Sequence, residues 1–209
     1  MLHSVRLVMV TDRRLMGATG ADFGAAIARA LERMPAGAAL VQVREKDVSA
    51  RELAVLVRAA IAAARTRGAL VLVNDRVDVA LACDADGVHL PERGLSIALA
   101  RALLPRGSIV GASRHRAVDA AACDADLVVL GPIFATPSKA AFGAPLGVEA
   151  IDEVSAHARG TARLVAIGGI DSIERAALVR AHGADAVAAI RAIWSADDPA
   201  RAAASLAGV

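Results

Sequence analysis

Gln42, Arg44 and Lys46 are spaced by two, with Val41 and Val43 between and before them. In an extended segment that spacing sends the amide, the guanidinium and the ammonium to one side and the valines to the other. Two cations directed into a packed interior are costly unless an anion meets them. That anion is either a ligand or a carboxylate of the chain itself, such as Asp75. A second set of polar groups lies on the run Gly131-Pro-Ile-Phe-Ala-Thr-Pro-Ser-Lys139. Here Thr136, Ser138 and Lys139 bring two hydroxyls and an ammonium to a segment stiffened by Pro132, Pro137 and Pro145. Such groups can grip phosphate oxygens through charge-assisted hydrogen bonds, and a long connection of this kind reads as an active-site lid or binding loop, or else as a disordered or solvated proline-rich loop. Asn74-Asp75 offers an amide and a carboxylate where a Mg²⁺ ion bridging phosphate oxygens could sit. Asp75 reads equally well as a cap for the helix opening at Arg76. His115 has three readings: proton transfer, phosphate contact or packing.

Positioning these groups requires elements that all end in the same place. Short apolar runs at Leu7–Val10, Ala39–Val43, Leu70–Val73, Gly87–Leu90, Ser108–Gly111, Leu127–Leu130, Leu164–Ile167 and Ala186–Ile190 read as strands. Helical patterns separate them. Asp22 is a candidate cap for the first helix, Ser49 with Glu52 has capping-box spacing, Asp171 is a candidate cap late in the chain, and Pro199 opens the last helix. Strands alternating with helices predict parallel βα units, and eight of them predict an α/β chain, a (β/α)8 TIM barrel forming a single domain over residues 1–209. An open doubly wound sheet is the alternative, weakened because no Gly-x-Gly-x-x-Gly follows the first strand.

In a parallel barrel the C-terminal strand ends share one face, which carries the active site. Asp12, Gln42 to Lys46, Asn74-Asp75, His89, Ser113 to His115, Thr136 to Lys139, Gly168-Gly169 and Arg191 all fall at or just after such ends. Gly168-Gly169 lets backbone N–H groups approach a ligand closely, and Ile190-Arg191 forms the other wall of the phosphate site usual after strands seven and eight. Leu81-Ala-Cys-Asp-Ala-Asp86 and Ala121-Ala-Cys-Asp-Ala-Asp126 repeat one joint, echoed by His182-Gly-Ala-Asp185. These enter strands from the opposite end, so stability and not metal binding is the expected role. His3, His157 and His182 read as surface or packing residues, and Trp194 as cover for the barrel's flank.

Composition narrows the function. Hydrophobic residues are 56%, charged residues 22% and aromatics 2% of 209 positions. That is a globular composition with an aliphatic core. No apolar run approaches a membrane span, and no signal-peptide layout precedes the first strand. Two cysteines, Cys83 and Cys123, make no disulfide framework and read as reduced packing thiols of a cytoplasmic protein. A net charge of +2 suits an anionic small ligand; without basic blocks or stacking aromatics, nucleic acid is not an expected partner. A homo-oligomer is compatible with the sequence.

Together the residues resemble the thiamine-phosphate synthase family, which also contains the TenI-type thiazole tautomerases. The likeness rests on Gln42-Val-Arg-Glu-Lys46, Asn74-Asp-Arg-Val-Asp78, Ala85-Asp-Gly-Val-His-Leu90, Gly131 to Lys139, Pro145-Leu-Gly147 and Ala166-Ile-Gly-Gly169, in that order across nearly the whole chain. The resemblance implies a TIM barrel that joins hydroxymethylpyrimidine diphosphate to thiazole phosphate, giving thiamine phosphate and pyrophosphate with Mg²⁺. It implies that Gln42, Arg44, Lys46, Asn74 and Lys139 hold the diphosphate and that Asp75 ligates the metal. Ser113 would lie near the pyrimidine and leaving group. Thr136, Ser138, Gly169, Ile190 and Arg191 would line the phosphate sites. Lys139, Ser113 and His115 are the candidates for catalytic roles. Two departures stand out. Pro91-Glu-Arg-Gly94 replaces the usual Gly-Gln-Glu-Asp, whose Asp is a second metal ligand; Glu92 is the carboxylate at hand to substitute. Ile190-Arg191 replaces Val-Ser. The first resembles the tautomerase branch, in which a histidine at the position of His115 transfers a proton. The intact diphosphate set favours the synthase over the tautomerase; a non-catalytic barrel that binds a thiamine-related phosphate is the third reading.

Overall fold

A computed structural model of the chain describes residues 2–18, 20–136, 144–157 and 162–209. The strands are β1 (Leu7–Val10), β2 (Ala39–Val43), β3 (Leu70–Asn74), β4 (Gly87–Leu90), β5 (Ile109–Arg114), β6 (Leu127–Leu130), β7 (Arg163–Ile167) and β8 (Ala186–Ala189). Each pairs in parallel with the next, and β8 returns to β1, closing the barrel in chain order. The helices are α1 (Ala21–Leu31), α2 (Ala50–Arg65), α3 (Val77–Ala82), α4 (Ile97–Leu103), α5 (Ala117–Ala121), α6 (Glu149–His157), α7 (Ile173–Ala181), α8 (Arg191–Trp194) and α9 (Pro199–Ala207). This is the single-domain (β/α)8 barrel that the strand count predicts.

The strands are apolar on both faces because both are covered. Val8, Val10, Leu40, Leu72, Ile109, Leu127, Val129 and Val165 fill the barrel. Their neighbours Leu7, Met9, Val41, Val43, Val73, Leu130 and Val187 pack against the helices. Alternation carries the inward set on to Gln42, Asn74, His89 and Ser113. Polar side chains therefore form the upper layer of an otherwise aliphatic interior.

The repeated joint has a structural role. Asp86, Asp126 and Asp185 each turn a carboxylate oxygen onto the backbone N–H of the preceding strand, at Val71 (2.7 Å), Val110 (2.8 Å) and Leu164 (2.8 Å). The same three residues donate their own N–H groups to those strands. Each carboxylate thus closes the lower end of a strand pair where the ladder runs out of partners. Among the described residues, no group of three or more His, Cys, Asp or Glu side chains could hold a metal ion.

Several local expectations shift by a residue or two. Gly20, with φ 53°, precedes α1, and Asp22 falls within its first turn instead of capping it. Ser172 caps α7, while Asp171 pairs with Arg175 at 3.0 Å. Asp75 does not cap α3: Arg76 holds that position without a side-chain bond, and Asp75 lies in the left-handed region at φ 67°. β5 runs on to Arg114, so Ser113 lies inside the strand. The capping box of Ser49 and Glu52 and the proline start of α9 are as expected. Trp194 is buried in the strand–helix cluster, and its indole N–H donates to the Val10 carbonyl at 2.8 Å. His157 bonds its own helix backbone and His182 pairs with Asp152. Both cysteines are free thiols, Cys83 buried and Cys123 partly so.

Candidate active site

Parallel closure brings the C-terminal ends of β1 to β8 to one rim. Gln42, Arg44, Lys46, Asn74, Asp75, Ser113, His115, Thr136, Gly169, Ile190 and Arg191 all reach it from their strand ends or the loops that follow. Ser138 and Lys139 lie outside the described residues.

The floor of the rim is a pair of hydrogen bonds. Gln42, only 5% exposed, donates its amide N–H to Asn74 Oδ1 at 3.0 Å. His89 is buried, and its Nε2 lies 2.8 Å from the Ser113 hydroxyl. Gly111 makes room for the ring, since a Cβ there would meet His89 Nδ1 at 2.7 Å. Burial pushes the His89 pKa down to about 4, and the nearby cations Arg44 and Arg114 push the same way. At neutral pH the ring is therefore neutral, a hydrogen-bonding partner for Ser113 and not a charge.

Arg44 is half-buried. The expectation that it could pair with Asp75 is not met: among the described residues, its guanidinium has no carboxylate partner. Its sequence neighbour Glu45 is buried and turned the other way, accepting from Thr11 Oγ1 (2.7 Å) and from the Arg13 guanidinium (3.3 Å). Arg114 was not among the residues singled out as binding groups. It is also half-buried, donates Nη1 to the Ser113 carbonyl at 2.7 Å, and faces no carboxylate among the described residues. Its place at the rim was legible in Ser113-Arg-His115; what only the structure shows is that its guanidinium turns back onto the carbonyl of its own strand. Lys46 and Arg191 are exposed on the same face, and Thr136 is half-buried.

Asp75 is exposed, and its backbone N–H is tied to the His89 carbonyl at 2.8 Å. Gly94 lies close by, as a Cβ there would sit 3.1 Å from Asp75 Oδ1. Glu92 uses Oε1 to accept the His115 N–H at 3.1 Å. It links the β4 and β5 loops. The donor set here is one carboxylate, which suits a hard cation that completes its shell with phosphate oxygens and water.

His115 Nδ1 bonds the Gly131 carbonyl at 2.5 Å. A carbonyl only accepts, so Nδ1 carries the proton and, in the neutral ring, Nε2 keeps its lone pair. The Gly131 loop is itself built onto β7. Ile133 and Phe134 donate to Ile167 and Gly168 at 2.8 and 3.0 Å, and Leu146 and Gly147 return to Pro132 and Ile133 at 2.8 and 3.0 Å. Gly168 and Gly169 are required there: a Cβ would meet Pro132 at 2.6 Å or Phe134 at 2.7 Å. The glycine pair therefore first serves the close approach of this loop. Arg175 secures it further, bonding the Gly169 carbonyl at 2.7 Å and lying 5.0 Å over the Phe134 ring. A cavity of about 240 Å³ between α5 and α6, lined by Cys123, Val154 and Ser155, shares no residue with this rim.

The rim thus sets the cations Arg44, Lys46, Arg114 and Arg191 around a neutral polar floor of Gln42, Asn74, His89 and Ser113. The family model described as thiamine monophosphate synthase matches residues 7–193, nearly the whole barrel. The chain belongs to that family. It is 44% identical over 176 residues to a thiamine-phosphate synthase of Chlorobium luteolum, covering 83% of this chain and 82% of the relative. To that of Chloroflexus aurantiacus it is 39% identical over 204 residues, covering 96% and 90%. Among solved structures, a thiamine phosphate pyrophosphorylase from Pyrococcus furiosus superposes with a TM-score of 0.82 at 32% identity, covering 99% of this chain and 96% of that one. Within the family frame, the rim described above is the candidate active site.

Proposed function

We propose that this member of the thiamine monophosphate synthase family joins hydroxymethylpyrimidine diphosphate to thiazole phosphate, releasing pyrophosphate. The observation that carries the reading is the uncompensated charge at the rim. Arg44 and Arg114 are half-buried and lack carboxylate partners among the described residues. Half-buried cations without a carboxylate beside them leave charge that an arriving anion can neutralise.

In this reading Arg44, with Lys46, Gln42 and Asn74, holds the diphosphate, and Arg114 extends the grip. The family resemblance assigns Lys139 to the same task and Ser138 to the lining of the phosphate sites. As the bond between the pyrimidine methylene and the diphosphate oxygen lengthens, negative charge grows on the leaving oxygens, and fixed guanidinium groups meet it without reorganising. Ser113, oriented by neutral His89, faces the pyrimidine side. Thr136, Gly169, Ile190 and Arg191 receive the thiazole phosphate, so that the thiazole nitrogen reaches the exposed methylene carbon. Asp75 is the residue that would hold Mg²⁺, which when bound supplies charge neutralisation for the departing diphosphate. The absence of any helix long and apolar enough to cross a membrane among the described residues is consistent with a cytoplasmic enzyme.

A second reading has one observation in its favour. His115 is exposed, with Nδ1 committed to Gly131 and Nε2 left to act as a base. That is what a thiazole tautomerase needs. A coupled assay for pyrophosphate release, with and without Mg²⁺, separates the readings. Release from both substrates that depends on Mg²⁺ supports the synthase. No release from folded protein refutes it. Metal-independent isomerisation of the thiazole phosphate carboxylate, lost in His115→Ala, favours the tautomerase. Tight ligand binding with neither turnover marks a non-catalytic barrel.

A further inference from the structure

Thr11 and Glu45 contribute nothing to the phosphate-gripping set, yet they are among the few buried polar residues, at 1% and 7% exposure. Thr11 follows the last residue of β1, whose Val10 is in register with Gln42. Its backbone N–H donates to the Gln42 carbonyl at 2.9 Å. The next ladder step, toward Arg44, has no strand residue to supply an acceptor. The Thr11 hydroxyl supplies it: Arg44 N–H donates to Thr11 Oγ1 at 2.9 Å. A hydroxyl has one proton, and Thr11 gives it to Glu45 Oε1 at 2.7 Å. Because the carboxylate can only accept, the direction of this relay is fixed. A hydroxyl that donates to a carboxylate is also a stronger acceptor for the N–H behind it.

Glu45 is held in place in turn. Arg13 N–H reaches both carboxylate oxygens, at 3.1 and 3.2 Å, and the Arg13 guanidinium adds an ion pair at 3.3 Å. Arg13 also pairs with Asp47, its Nη2 lying 2.9 Å from Oδ2. The carboxylate beside Arg44 in sequence is thereby turned onto the loop after β1. It fixes the arginine's backbone without neutralising its side chain.

We propose that Thr11 and Glu45 are positioning residues: they extend β2 past its paired length so that Gln42 and Arg44 present a preorganised grip for a diphosphate group. The inference rests on the synthase reading above. A long, flexible guanidinium loses binding strength to conformational freedom unless its root is fixed, and Thr11 fixes that root.

The test uses Thr11→Val, which keeps the shape and removes the hydroxyl, and Thr11→Ser, which restores it. Binding of inorganic pyrophosphate with Mg²⁺ is measured by titration calorimetry. Steady-state KM values are measured for the pyrimidine diphosphate and for the thiazole phosphate, and melting temperatures for all three proteins. In Thr11→Val, pyrophosphate affinity is expected to fall about tenfold, equivalent to roughly 1.4 kcal/mol. KM for the pyrimidine diphosphate should rise with it, while KM for the thiazole phosphate stays unchanged. Thr11→Ser should recover most of the loss. Wild-type protein that releases no pyrophosphate from the two substrates removes the synthase reading, and this inference with it. Wild-type turnover with Thr11→Val binding pyrophosphate normally overturns the positioning role alone. So does an equal rise in both KM values, or a loss that Thr11→Ser does not recover, because either marks general structural damage.

Discussion

The two ends of the barrel use the same residue types in opposite ways. At the lower end, Asp86, Asp126 and Asp185 each bond a strand N–H, and two of them also pair with an arginine, Arg101 to Asp126 at 3.1 Å and Arg163 to Asp185 at 2.8 Å. At the upper end, Arg44 and Arg114 have no acidic partner among the described residues, and Asp75 has no ion pair there. Charge at one end completes hydrogen bonding that the fold leaves open. At the other end the Arg44 and Arg114 guanidinium groups are kept available, while Arg13, Glu45 and Asp47 pair with one another. The barrel tolerates that imbalance because both guanidinium groups are only half-buried and so remain partly open to water.

Substitutions at each end should therefore move different observables. Arg44→Ala carries the largest expected effect: kcat/KM for the pyrimidine diphosphate should fall about 100-fold, with a melting temperature equal to wild type or higher. A fall in stability would mean that the upper cation is structural after all. The next effect is on pH. His89 has a folded pKa of about 4, below its usual 6.5. The unfolded chain therefore binds more protons between those values, and stability should decline as pH drops from about 6.5 to 4. The expected loss is on the order of 2 kcal/mol. Melting curves of wild type and His89→Gln across that range check it: parallel curves would mean that the ring is already charged or solvated. Third, Asp126→Ala strands the Val110 N–H and releases Arg101. It should cost about 1–2 kcal/mol in denaturant unfolding and leave kcat/KM of the folded enzyme unchanged. Loss of activity at full stability would erase the contrast between the ends. Smallest, Arg114→Ala should weaken turnover about tenfold, in line with one charge-assisted hydrogen bond. An unchanged rate would leave Arg44 as the principal grip.

The barrel itself was legible in the chain. Strands such as Leu127–Leu130 and Ala186–Ala189 are short runs apolar on both faces, entered through Asp126 and Asp185, and their number pointed to closure over an open sheet. The rim was legible for the same reason: in a parallel barrel every strand end is also a position on one face. Spacing by two correctly separated Gln42 from Val41 and Val43. Helix caps were less legible, since Asp22 and Asp171 compete with Gly20 and Ser172 within one turn, and local backbone geometry decides between them.

What the sequence determined by itself is the order of the elements and the types of side chain at their ends, because both follow from periodicity along the chain. Only the tertiary structure decided which of those charges are matched. Thr11 meets Glu45 across 34 positions and Glu92 meets the His115 N–H across 23. Such pairs depend on strand register and on the rotation of each strand about its axis. Neither is encoded locally, and both are fixed only when the eighth strand pairs with the first.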